Sequence, residues 1–169
     1  MQKKLLFAGP VGSGKTTAIA AISDSQPIGT EVPLSDGAMG DKTSTTVALD
    51  YSFVRLENEV LHIYGLPGQS SLSFMREILV PGALGVVLLL DATSGTLYED
   101  ALGWVQSMRA AESQLKFVVG VTKTDLPSDY SINKLRSTLA PYSGIPVLSV
   151  DARERASVKG LLETLMVLS

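Results

Sequence analysis

Cysteine is absent from this 169-residue chain, so disulfides, thiolate chemistry and cysteine-based zinc sites are excluded. Prenylation and palmitoylation go with it, and Met1-Gln2 is not a myristoylation start. Basic charge is also scarce: 14 Lys and Arg stand against 17 Asp and Glu, for a net charge of −3. With no basic stripe to replace phosphate counterions, nucleic acid is not expected as a partner. Long hydrophobic runs are missing too. Val86-Val87-Leu88-Leu89-Leu90 is too short to span a bilayer and reads as a buried parallel strand. The N-terminus enters a strand at once, so no signal peptide is expected. These absences point to a cytoplasmic protein with no direct membrane anchor. Charged residues make up only 18% and hydrophobic ones 45%, an ordinary balance for an α/β domain long enough to bury its own core.

What is present is concentrated near the start. Gly9-Pro10-Val11-Gly12-Ser13-Gly14-Lys15-Thr16 fits G-x-x-x-x-G-K-[ST] at every fixed position. Lys3–Ala8 before it reads as a strand, and Thr16–Ile22 after it reads as a helix. That context separates a P-loop from a chance match. Gly9, Gly12 and Gly14 let the backbone curl with its N–H groups inward, and the helix N-terminus adds positive potential. The whole run through Thr17, Ser13 included, is a phosphate cradle. Lys15 reaches the β- and γ-phosphates, and the Thr16 hydroxyl is a ligand for Mg²⁺. The chain is expected to bind a nucleoside di- or triphosphate.

The rest alternates. Ser25–Lys42 is rich in Gly, Pro, Ser and Asp without sustained periodicity, and reads as a long functional loop. Val47–Arg55 and Val60–Tyr64 flank a Glu57-Asn58-Glu59 turn and form an antiparallel hairpin. A helix over Leu72–Val80 is stopped by Pro81-Gly82. Strands then follow at Leu84–Leu90, Lys116–Val121 and Pro146–Val150, separated and closed by helices at Thr96–Glu112, Ile132–Leu139 and Ser157–Leu168. This pattern predicts one domain spanning residues 1–169, a doubly wound, mostly parallel sheet of about six strands with helices on both faces and one antiparallel edge strand.

Thr122-Lys123-Thr124-Asp125 follows a hydrophobic strand, where a loop faces the ligand. The Asp125 carboxylate accepts hydrogen bonds from the N1–H and N2–H₂ edge of guanine, a donor pair that adenine lacks. Lys123 can lay its aliphatic stem over the base. An aspartate in such a loop also caps turns; its position after a P-loop favours base recognition.

At these residues the chain resembles the Ras-like small GTPases, over nearly its whole length. Their N-K-x-D stands here as Thr122-Lys123-Thr124-Asp125, and their S-A-K loop as Asp151-Ala152-Arg153. The resemblance implies the small G-protein version of the P-loop fold. It implies that the Ala152 N–H contacts the guanine O6 and that Arg153 replaces the lysine beside the base. Within the family it looks like the bacterial branch of gliding-motility and actinobacterial conservon-type GTPases. Thr45-Thr46-Val47-Ala48-Leu49-Asp50-Tyr51, Tyr64-Gly65-Leu66-Pro67-Gly68-Gln69 and Asp151–Val158 carry that likeness.

What the likeness implies is a slow GTPase switching between GTP and GDP. Thr46 is then the switch I threonine, holding Mg²⁺ through its hydroxyl and the γ-phosphate through its N–H. Gly68 senses the γ-phosphate, and Gln69 orients the attacking water. Regulatory and effector proteins, including roadblock-type regulators, are the implied partners of a monomer. Ras-like proteins carry an Asp where this chain has Gly65. The carboxylate that holds Mg²⁺ through water is therefore expected to be missing, unless strand register brings Asp50 near. No arginine lies in Ser25–Thr45 to act as an internal finger; Arg76 is the one nearby candidate. His62, Asp91 and Trp104 read as structural. Two rivals stand beside this reading: a nucleotide-holding scaffold that scarcely hydrolyses, and a small P-loop kinase, which usually needs an arginine-rich lid absent here.

Overall fold

The computed structural model describes residues 2–24, 28–34, 45–67, 79–142 and 144–168. Seven strands, β1 (Gln2–Ala8), β2 (Ile28–Leu34), β3 (Thr45–Leu56), β4 (Glu59–Gly65), β5 (Ala83–Asp91), β6 (Phe117–Thr122) and β7 (Val147–Ser149), form one sheet in the order β2-β3-β4-β1-β5-β6-β7. Four described helices are α1 (Lys15–Ile22), α2 (Leu97–Ala111), α3 (Ile132–Thr138) and α4 (Arg155–Val167). β1 pairs in parallel with both β4 and β5, so the strand order reverses around it and its C-terminal end opens into a crevice. In doubly wound sheets that crevice is where ligands bind.

The sequence expectation of alternating strands and helices holds, with one correction. Ile28–Leu34, read from the sequence as part of a structureless loop, is a strand paired antiparallel with β3 from Ile28↔Tyr51 to Leu34↔Thr45. The sheet therefore has seven strands; β3 alone runs against the others, as expected of one strand, but β2 and not β3 forms the edge. The apolar or β-branched residues Ile28, Thr30, Val32 and Leu34 do alternate, but Gly29 and Pro33 mask the pattern. A proline is tolerated because β2 lies at the sheet edge. The expected helix over Leu72–Val80 lies outside the described residues for positions 72–78.

Alternation along each strand divides the core between two faces. Leu5 and Phe7 of β1, with Val87 and Leu89 of β5, pack against α1 and α4. Leu6 and Ala8, with Val86, Leu88 and Leu90, pack against α2 and the Trp104, Val105 and Met108 stripe. Both faces being covered explains the unbroken hydrophobic runs of β5 and β6. The β3–β4 hairpin turns through Glu57 and Asn58, both at positive φ (48° and 69°), which matches the twist of its strands.

Asp24, just past α1, ties three elements together. Its carboxylate accepts a 2.8 Å hydrogen bond from the Arg55 N–H of β3 and a 2.8 Å bond from the Arg155 guanidinium at the start of α4. These bonds hold its pKa below the ordinary carboxylate value, the Arg155 bond contributing most. His62, read as structural, stacks on Tyr51 and shares a 2.6 Å hydrogen bond between Nδ1 and the phenol. Trp104 is buried as expected.

Candidate functional site

The P-loop leaves the C-terminal end of β1 and enters α1 as the sequence requires. Gly9, Gly12 and Gly14 all take positive φ, at 140°, 83° and 102°. Gly14 caps the helix, and a Cβ there would come 3.3 Å from the Ala152 Cβ and 3.6 Å from Thr122 Cγ2. Only glycine meets both the left-handed conformation and the close approach of three loops.

Two adjoining chambers open on this loop. The larger, about 680 Å³, is lined by Gly14, Thr17, Thr122, Lys123, Asp125 and the Ser149–Arg153 loop among others. The second, about 480 Å³, is lined by Val11, Gly12, Lys15, Thr16, Asp50 and Gly65 among others. Gly14, Thr17 and Lys123 line both, so the chambers form one groove. The P-loop lysine thus lies at one end and the Asp125 carboxylate at the other. Gly9 and Ser13 line neither chamber. Ser13 is buried, and its carbonyl accepts a 3.0 Å bond from Thr122 Oγ1, so it braces the loop from behind.

At the phosphate end, Lys15 Nζ donates to the carbonyls of Gly9 (2.6 Å) and Pro10 (2.8 Å). Those acceptors are neutral, and burial of the amine lowers its pKa to about 8 despite the nearby Asp50 carboxylate. The Thr16 hydroxyl donates to Asp50 Oδ2 at 2.9 Å. Asp50 stands opposite Gly65 in the β3–β4 register. A Cβ on Gly65 would lie 2.8 Å from Ile19 Cδ1 and 3.3 Å from the Asp50 Cβ. A carboxylate from the neighbouring strand therefore stands beside position 65, where glycine leaves room for it. Sequence alone could not fix this register. A threonine hydroxyl and one carboxylate at the rim of a phosphate chamber suit Mg²⁺, which completes its shell with phosphate oxygens and water.

At the other end, the single Thr122 hydroxyl proton is shared between the Ser13 carbonyl and the Leu90 carbonyl at 3.1 Å, holding the β6 loop against β5. Lys123, at φ 60°, donates to the Gly12 carbonyl (3.2 Å) and to Asp91 Oδ2 (2.8 Å). Asp91 additionally accepts from the Thr93 N–H and hydroxyl, which fits its structural reading. Burial alone would raise the Asp91 pKa, but these bonds from Lys123 and Thr93 outweigh it and hold the group below its ordinary value. Thr124 and Ser149 share a 2.7 Å hydroxyl bond that joins the two base-side loops. Asp125 is exposed into the larger chamber, and Ala152 is buried beside it.

Of the remaining expected site residues, Thr46 has its backbone in β3 opposite Pro33, and its side chain is outside the described set. Gly68, Gln69 and Arg76 lie outside the described residues. No group of three or more His, Cys, Asp or Glu suited to a metal occurs among the described residues. None of the described helices is long and apolar enough to cross a membrane.

Residues 26–166 match the protein family described as conserved hypothetical ATP binding protein. The chain belongs to that family. It is also similar to an uncharacterised protein of Methanocaldococcus jannaschii, 28% identical over 73% of this chain and 71% of the other. It resembles the human Ras-related protein Rab-27B at 25% identity over 96% of this chain and 77% of that one. Among solved structures, the Arl6 small GTPase of Trypanosoma brucei superposes with a TM-score of 0.76 at 14% identity, covering 99% of this chain and 97% of that one. The G domain of the T. maritima FeoB iron transporter gives 0.70 at 19% identity, covering 99% and 98%. The chain is small-GTPase-like in sequence, and its fold is that of a G domain.

Proposed function

We propose that the chain is a guanine-nucleotide switch that hydrolyses GTP to GDP slowly. The observation that carries this reading is the single groove with Lys15 at one end and Asp125 at the other, joined through Gly14, Thr17 and Lys123. Its larger chamber has the right chemistry for guanine: the exposed carboxylate of Asp125 for the donor edge, and a backbone N–H at Ala152 for the purine carbonyl. Its smaller chamber supplies the P-loop amides and the Lys15 ammonium for phosphates.

Thr16 and Asp50 would hold Mg²⁺, Asp50 through water. Held there, Mg²⁺ would supply positive charge against the charge that develops on the leaving group. Thr46 joins this set in the triphosphate state. Gln69 orients a water for in-line attack on the γ-phosphorus, breaking the bond to the β–γ bridging oxygen and leaving GDP and phosphate. Without an arginine in residues 25–45, hydrolysis lacks a contribution of roughly 10³–10⁵ in rate and is slow until a partner supplies the cation. Arg76 is the alternative source in cis. The state of the γ-phosphate is read out by regulatory and effector proteins docking on the β3–β4 hairpin and the segments on either side. The likeness to the bacterial branch favours roadblock-type regulators and a cytoplasmic monomer.

The family description, which names ATP, favours a second reading in which adenine occupies the larger chamber. Gly65 in place of an acidic residue motivates a third, a nucleotide-holding scaffold with negligible turnover; the arrival of Asp50 at that place weakens it. Titration with GDP and ADP decides between the first two. Single-turnover hydrolysis of GTP decides the third: release of phosphate from bound GTP that stops in a Gln69→Ala variant supports the switch, and no release with or without added protein partners contradicts it.

A further inference from the structure

The larger chamber contains not one aspartate but two. Asp125 and Asp151 both line it, and a purine placed there would meet a second carboxylate. Guanine offers one donor pair, which Asp125 satisfies. A second free carboxylate would be a like charge beside Asp125 and an unwanted acceptor near the carbonyl that distinguishes guanine. Asp151 is not free, however. Its Oδ1 accepts the Arg153 N–H at 3.0 Å and Nε at 2.9 Å, and its Oδ2 accepts the second guanidinium nitrogen at 2.9 Å. This is a fork-to-fork pair made within a three-residue loop.

Resting on the guanine reading above, we propose that Arg153 is a specificity residue that acts through Asp151. By pairing with both carboxylate oxygens it leaves Asp125 as the one aspartate in the chamber without a bidentate partner. The pair is local and preorganised, since Asp151 N–H donates to Ser157 Oγ at 2.9 Å and pins the loop to the start of α4. Asp151 stays ionised under all ordinary conditions, its pKa held down to about 2 by the Arg153 bonds. The arrangement therefore does not depend on protonating Asp151, only on pairing it. Lysine would retain the charge but not the two-pronged geometry.

Both side chains are on an exposed loop (Arg153 75% and Asp151 39% exposed), so their replacement leaves the core intact. The test is titration of fluorescent GDP and ADP into the wild type, Arg153→Ala and Asp151→Ser/Arg153→Ala, at low and at raised salt. Arg153→Ala should weaken GDP about fivefold, the scale of one partly screened charge, and reduce selectivity over ADP. Its deficit should shrink in salt, and the double variant should recover to within about twofold of wild type. If the double variant is as weak as Arg153→Ala, Arg153 acts by touching the base and the proposal is wrong. It is equally wrong if Arg153→Ala binds as the wild type does. A wild type that does not prefer GDP over ADP overturns the guanine reading itself, before any variant is measured.

Discussion

The two ends of the groove are built differently. At the base end the residues around Asp125 are locked by their own neighbours: Thr122 to Ser13 and Leu90, Lys123 to Gly12 and Asp91, Thr124 to Ser149, Asp151 to Arg153. At the phosphate end the active groups are lodged on acceptors that a ligand would replace. Lys15 rests on two loop carbonyls, and Thr16 on Asp50. A rigid base end and an exchangeable phosphate end are what a switch needs. On the proposed reading, fixed geometry would read the identity of the ligand and rearranging bonds its phosphate number.

The comparison breaks most visibly at Lys15. Lys15→Ala should weaken GDP roughly a hundred- to a thousandfold, since several charge-assisted bonds are lost at once, as read by equilibrium titration. Next comes the base end: Asp125→Asn should cost GDP roughly a hundredfold and raise affinity for xanthosine diphosphate, because the amide turns one acceptor into a donor. An unchanged base preference would remove Asp125 from recognition.

Asp50→Asn should then blunt the gain in GDP affinity on adding Mg²⁺, by about ten- to a hundredfold in apparent metal affinity, with little change in metal-free binding. Unaltered metal dependence would mean that the carboxylate is not a metal partner. Protonation of Lys15 gives a smaller effect with a defined sign. Its folded pKa of about 8 lies below the ordinary 10.5, so the folded chain sheds the proton first. The cost of burying the ammonium is present below pH about 8 and relieved between about 8 and 10.5, so free-protein stability gains there. Phosphate binding needs the ammonium, so GDP affinity should be level below pH about 8 and decline above it. Calorimetry across that range should register proton uptake on binding. Smallest is the clasp at Asp24, where Asp24→Ala should lower stability by about 1 kcal/mol in urea unfolding without altering base preference.

Legibility followed the range of the interaction that fixes each feature. The P-loop is local: its glycines, lysine and threonine announce themselves at fixed spacing, and the strand and helix around it appear where expected. The alternation of β5, α2, β6, α3, β7 and α4 is likewise set by short-range periodicity. β2 escaped because Gly29 and Pro33 interrupt its alternation, and an edge strand needs only one partner. Asp50 was visible as a residue but not as a partner of Thr16, since only the pairing Asp50↔Gly65 sets that proximity. The Asp151–Arg153 fork was invisible for a different reason. Two charged residues in a polar loop are ordinary, and only side-chain geometry turns them into a closed pair.

Base preference tests the account most directly. Titration of the purified protein with fluorescent GDP and ADP in the presence of Mg²⁺ should give at least about hundredfold tighter binding of GDP, or about 2.7 kcal/mol. Equal affinities, or a preference for ADP, would contradict it.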